Sequence, residues 1–100
     1  MRVVFLPLAV EDLADIRAYI AVNNPQAAQK VAGRLKQLIR ELAVMPNLGR
    51  AGRVFGTREL VTPKIGQTAY IVVYRIRDDR LEILRVIAGM RDVDSLLEGD

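Results

Sequence analysis

Thr68-Ala69-Tyr70-Ile71-Val72-Val73-Tyr74-Arg75-Ile76-Arg77, then Asp78-Asp79, then Arg80-Leu81-Glu82-Ile83-Leu84-Arg85-Val86-Ile87-Ala88 is the stretch that decides the fold. Two runs rich in β-branched and aromatic side chains flank a pair of turn-forming aspartates, the signature of a β-hairpin. A two-residue turn predicts the register: Arg75 opposite Glu82, Val73 opposite Leu84, Ile71 opposite Val86, and Ala69 opposite Ala88. Tyr70, Val72, Tyr74, Ile76, Leu81, Ile83, Arg85 and Ile87 then share one face. The other face centres on Ile71, Val73, Leu84 and Val86, with Arg75, Arg77, Arg80 and Glu82 toward the turn.

Upstream, residues 57–63 read as a third strand closed by Pro63, at a sheet edge. Residues 2–6 read as a short first strand. Pro7 suits a first helical position, and Ala9, Leu13, Ile16 and Ile20 repeat at the spacing of one helical face over 8–22. Asn24-Pro25 is a cap followed by a first-turn proline. From there Ala28, Val31, Leu35, Leu38, Leu42 and Met45 mark a second amphipathic helix over 26–45. The short link between the helices predicts an antiparallel helical hairpin. The order is β-α-α-β-β-β: an α+β fold in which an antiparallel sheet carries the helical hairpin on one face. Arg85 lies on the face assigned to the helices, and a buried guanidinium without a partner would cost several kcal/mol, so Asp12 or Asp15 is expected to pair with it.

Composition bounds the rest. One hundred residues with 51% hydrophobic content fit one small domain, here 1–91, followed by an acidic tail, 92–100. With neither cysteine nor histidine, disulfides, thiolate metal sites and the commonest general base are excluded. The carboxylates each have an ordinary surface explanation, so no metal is expected, and no phosphate-cradling loop points to a cofactor. The apolar start, Val3 to Leu6, is too short for the core of a signal peptide, and no run approaches a membrane span. A soluble, cytoplasmic protein with no membrane partner is the expectation.

Charge is uneven. Residues 50–91 hold nine basic and four acidic groups, whereas 92–100 hold four acidic groups and no basic one. Within the basic block, the run Gly49-Arg50-Ala51-Gly52-Arg53-Val54-Phe55-Gly56-Thr57-Arg58 reads as loop up to Gly56, its arginines suited to anionic targets. One helical hairpin cannot cover both faces of a sheet. The second face is thus expected to offer an apolar patch fringed by arginines to a partner, with Val93, Leu96 and Leu97 of the tail covering part of it at most.

The ordered motifs match a known group. Ala9-x-x-Asp12-Leu13-x-x-Ile16-x-x-Tyr19-Ile20, Asn24-Pro25-x-Ala27-Ala28, Pro46-x-x-Gly49-Arg50 and Gly56-Thr57-Arg58-Glu59-Leu60 come first. Tyr70-x-x-x-Tyr74-Arg75 and Ile83-Leu84-Arg85-Val86-x-x-Gly89-x-Arg91 complete the series. Together the chain resembles the RelE/ParE superfamily of bacterial toxins from type II toxin–antitoxin modules. The resemblance implies growth arrest, a role such as plasmid stabilisation, and neutralisation by a cognate ParD- or RelB-like antitoxin in a hetero-oligomer. The antitoxin-binding residues it implies on the second face are Ile71, Val73, Arg75, Leu84 and Val86.

The superfamily divides by target: RelE-like members cut messenger RNA on the ribosome, and ParE-like members poison DNA gyrase. RNA-cutting relatives place an arginine where this chain has Ile71, often a lysine at the position of Leu60, and in many cases a histidine at that of Ala88. The Gly-Thr-Arg-Glu-Leu run and the start of the second helix look more like the ParE branch. A gyrase inhibitor without catalytic residues is therefore the first expectation, with Arg50, Arg53, Arg58, Arg75 and Arg91 as target-binding residues. The alternative is a ribosome-dependent endoribonuclease using Arg58, Tyr70 or Tyr74, and Arg91. A third option is a degenerate member that binds antitoxin only.

Overall fold

The computed structural model describes residues 1–89 and Leu97. In chain order the elements are β1 (Arg2–Phe5), α1 (Pro7–Ala21), α2 (Pro25–Val44), β2 (Arg50–Ala51), β3 (Arg58–Val61), β4 (Tyr70–Arg77) and β5 (Arg80–Ala88). The strands form one sheet in the order β1-β5-β4-β3-β2. Arg91 and the rest of the acidic tail apart from Leu97 lie outside the described residues.

Asp78 and Asp79 both take left-handed backbone, φ 50° and 63°, which is the geometry of a tight two-residue hairpin turn. The register leaves the turn as expected, with Ile76 opposite Leu81 and Arg75 opposite Glu82. Between Val73 and Tyr74 it slips by one: Tyr74 faces Ile83, and Val73 faces Arg85. Leu84 is the additional residue of a β-bulge. Beyond it, Val72 meets Val86 and Ile71 meets Ile87. Val86 therefore joins the core under the helices, and Ile87 takes the place expected for it on the second face. This corrects the assignment of Val86 to the antitoxin-binding surface. Val86 and Ile87 are both apolar, so no alternation between them marks the slip.

Two further differences concern the sheet. β1 lies parallel to β5, Arg2 beside Arg80 through Phe5 beside Ile83, so the sheet is mixed and not wholly antiparallel. Residues 50 and 51, read as loop, form β2 against Arg58 and Glu59. β3 is consequently an edge strand only beyond Glu59.

The helices form where capping and periodicity place them. Asn24 caps α2, its Oδ1 accepting the Ala27 N–H at 3.0 Å. Leu6, at the equivalent place before α1, makes no side-chain cap. Val31, Leu35, Leu38, Ile39 and Leu42 of α2 bury against Tyr70, Val72, Tyr74, Leu81, Ile83 and Val86. Ala9 of α1 is buried with them, while Leu13, Ile16 and Ile20 are partly covered. Met45, expected to end the stripe, follows the last helical residue and is exposed.

Arg85 pairs with Asp12. Its Nε donates to Oδ2 at 2.8 Å and its Nη2 to Oδ1 at 3.0 Å. The same Oδ2 accepts the Val86 N–H at 2.9 Å. β1 stops opposite Ile83, and beyond it no strand among the described residues neighbours this edge of β5. Asp12 supplies the acceptor that a further strand residue would otherwise provide.

Candidate functional site

The glycine- and arginine-rich segment is built as a braced hairpin. The Gly49 N–H donates to the Tyr74 hydroxyl at 2.9 Å, and that hydroxyl donates to the Pro46 carbonyl at 2.6 Å. Arg58 Nη1 donates to the Gly49 carbonyl at 2.7 Å. A Cβ at residue 49 would meet the Tyr74 oxygen at 2.6 Å and the Glu59 carbonyl at 2.9 Å, so only glycine fits this approach. Glu59, 1% exposed, sits at the base of the hairpin. Its Oε2 accepts the Arg53 N–H at 2.9 Å, and its Oε1 lies 3.6 Å from Arg50 Nη2 and 3.7 Å from Arg53 Nη1. Burying one carboxylate costs less when two guanidinium groups oppose it.

Arg75 and Glu82 pair across β4 and β5, with Nε to Oε1 at 2.6 Å, and Arg80 Nη2 reaches Glu82 Oε2 at 3.2 Å. The hydrogen bond from Arg75 holds the Glu82 carboxyl below the usual glutamate range. Burial opposes that shift, and the charges of Arg75, Arg80 and Arg77 reinforce it. Arg50 and Arg75 thus border the second sheet face, each matched by a carboxylate within the fold.

Of the groups named for RNA cleavage, Tyr74 and Arg58 are engaged within the fold. Tyr74 is fully buried, and its hydroxyl both donates and accepts within the 46–49 loop. Tyr70 is 3% exposed under the helices, and burial pushes its phenol up from the usual value. Arg58 stands opposite Tyr74 and holds Gly49. Arg91 lies outside the described residues.

On the second face, Ile71, Val73 and Ile87 form a buried cluster with Leu84 and Leu97 packed against it. The tail, expected to cover part of this patch at most, places Leu97 on it; Val93 and Leu96 lie outside the described residues. A further concavity of about 930 Å³ opens where the helical hairpin meets the end of the sheet, with Asp12, Tyr19, Ile20, Ile65, Arg85 and Val86 in its walls.

Sequence reading passed over two features of this region. Glu59 was legible as part of a motif, but its burial depends on β2, whose two residues carry no strand signal of their own. Phe55 was visible as an aromatic outside any strand pattern; in the structure it is fully exposed, at 103%. Among the described residues no helix is long and apolar enough to cross a membrane.

Comparison with known proteins extends the resemblance. A family model described as the ParE toxin of the type II toxin–antitoxin system parDE matches residues 3–93. Putative toxin Y4kP of Sinorhizobium fredii is 43% identical over 79 residues, covering 79% of this chain and 78% of that protein. Toxin RelE2 of Caulobacter vibrioides is 34% identical over 85 residues, covering 85% of this chain and 91% of its own. A solved chain titled as the chromosomal ParDE toxin–antitoxin system from P. aeruginosa superposes with a TM-score of 0.75 over 89% of this chain and 96% of that one. At 22% identity that likeness bears on the fold alone. With the match running from the first strand past the last, this chain belongs to the ParE toxin family of type II toxin–antitoxin systems, within the RelE/ParE superfamily.

Proposed function

We propose that this chain acts by binding and not by bond breaking: free, it inhibits DNA gyrase, and a cognate ParD-like antitoxin neutralises it. The observation that carries the reading is the employment of Tyr74. Both hydrogen bonds of its hydroxyl hold the 46–49 loop in a buried site, so it has no proton to offer a leaving oxygen. Tyr70 is buried with a raised phenol pKa, and Arg58 is engaged by Gly49. General acid–base catalysis needs such groups within reach of the reacting oxygens.

Arg50, Arg53, Arg58 and Arg75 are the proposed target contacts among the described residues; Arg91 completes the set by sequence alone. Ile71, Val73, Leu84 and Arg75 are the proposed antitoxin contacts, with an antitoxin side chain taking the place of Leu97. Binding of this kind would exchange one apolar cover for a larger one, which fits a partner segment that folds as it docks.

The test is a supercoiling assay with purified toxin and gyrase. Inhibition with accumulation of linear cleaved DNA is expected; unchanged supercoiling and no linear product would refute the gyrase target. The name of the Caulobacter relative, Toxin RelE2, favours the second reading, a ribosome-dependent endoribonuclease. That reading predicts cuts within translated codons, lost on joint replacement of Arg58 and Arg91, with antitoxin binding retained.

A further inference from the structure

The tip of the β2–β3 hairpin presents Phe55 wholly to solvent, beside the partly exposed Val54. Phenylalanine is among the side chains most often buried, and exposing its ring forfeits a large apolar contact. The loop beneath it is ordered by its own bonds. Gly52 N–H donates to the Thr57 carbonyl at 2.8 Å, and Thr57 returns to the Val54 carbonyl through its N–H at 3.1 Å and its hydroxyl at 2.6 Å. Gly56 takes φ +84°, a conformation that other residues rarely adopt. Arg53 N–H, next to the tip, is anchored on the buried Glu59. The braced turn beneath the ring has already lost backbone freedom that docking would otherwise remove.

From these observations we infer that Val54-Phe55 is the anchor by which the toxin docks on its cellular target, and that the target is a protein presenting an apolar pocket with an acidic rim. The charge around the tip sets the rim: Arg50, Arg53 and Arg58 stand against Glu59 alone. The apolar tip sets the pocket. A single-stranded nucleic acid is the weaker fit. Single strands are held by successive aromatic side chains on which their bases stack, whereas the tip offers one exposed ring. The inference rests on the toxin reading above, but not on the identity of the target as gyrase.

The test compares full-length wild type with Phe55→Ala and Phe55→Trp, expressed from a tightly controlled promoter. Buried aromatic anchors at interface centres commonly carry enough energy for about a 30-fold loss of affinity on truncation. Phe55→Ala should therefore abolish growth arrest at expression levels where wild type stops division, and Phe55→Trp should retain it. Thermal melting and affinity for the purified antitoxin should match wild type in both. Arrest by Phe55→Ala at the wild-type level overturns the anchor and leaves the toxin reading intact. Equal loss of antitoxin affinity would assign the ring to the antitoxin interface and also overturn it, as would loss of fold. Loss of binding to a fluorescent single-stranded oligonucleotide in step with loss of arrest would overturn the protein partner in favour of a nucleic acid. A wild-type chain that never arrests growth defeats the toxin reading and this inference together.

Discussion

Among the described residues, the two faces of one sheet are covered very differently. Toward the helices, Tyr70, Val72, Tyr74, Leu81, Ile83 and Val86 meet a continuous layer from α2 and α1. On the other side, Ile71, Val73 and Ile87 are joined by Leu84 of the same sheet and Leu97 of the tail. A packed helical layer fixes stability, because its side chains cannot relax into a void. Among the described residues only Leu84 and Leu97 pack over the second-face cluster, and this is the face we propose for a partner. The arginines follow the same division. Arg85 spends its guanidinium on Asp12, inside the structure, whereas Arg50 and Arg75 border the thinly covered side.

The sharpest challenge to this contrast is a matched pair of truncations. Ile83→Ala, on the helix side, should cost about 4 kcal/mol in urea unfolding, and Ile87→Ala, on the other, about half as much. Equal costs would mean that the two covers are equivalent. Next in size is Tyr74→Phe, which strands the Gly49 N–H and the Pro46 carbonyl and should cost about 1–3 kcal/mol, read as a lowered melting temperature. A variant as stable as wild type would remove the structural role given to this hydroxyl.

Leu97→Ala tests the thin cover directly. If an antitoxin side chain replaces Leu97, removing a competitor worth about 1 kcal/mol should tighten antitoxin binding about fivefold and lower the melting temperature of the free chain by about 4–8 °C. Unchanged or weaker binding, measured by calorimetry, would show that Leu97 is no competitor. A smaller gain is expected at the turn. Asp79→Gly relieves a left-handed non-glycine residue and should stabilise the hairpin by about 0.5–1 kcal/mol.

The last expectation is a slope. The folded Glu82 carboxyl sits below its ordinary value of 4.5, so its contribution is complete above that value and fades as pH falls through the depressed one. Glu82→Gln should flatten the loss of stability on acidification, as followed by melting at successive pH values. An unchanged profile would place the acid sensitivity elsewhere.

Much of the fold was legible because it is written in periodicity. The stripe from Ala28 to Leu42, the Asn24 cap and the Asp78-Asp79 turn are local signals, and local hydrogen bonds realise them. Arg85 was legible by elimination, since a guanidinium among apolar neighbours demands a carboxylate and α1 supplies Asp12. The bulge at Leu84 was not, because Val86 and Ile87 are interchangeable as strand residues and only their tertiary neighbours separate them. The parallel placement of β1 and the two-residue β2 were hidden for a similar reason: they depend on which strand lies alongside, not on the segment itself. At the site, residue types pointed to arginines, but the burial of Glu59 and the exposure of Phe55 emerge only once the hairpin closes.

Asp12 has a consequence for how copies of this chain meet. A bare strand margin invites a second molecule to zip along it, and repeated zipping grows fibres. Here the amide of Val86, which such a newcomer would have to grasp, is already held by a charged oxygen at 2.9 Å. Any intruder must evict that carboxylate, so the side chain that satisfies the Val86 amide also obstructs zipping along this margin.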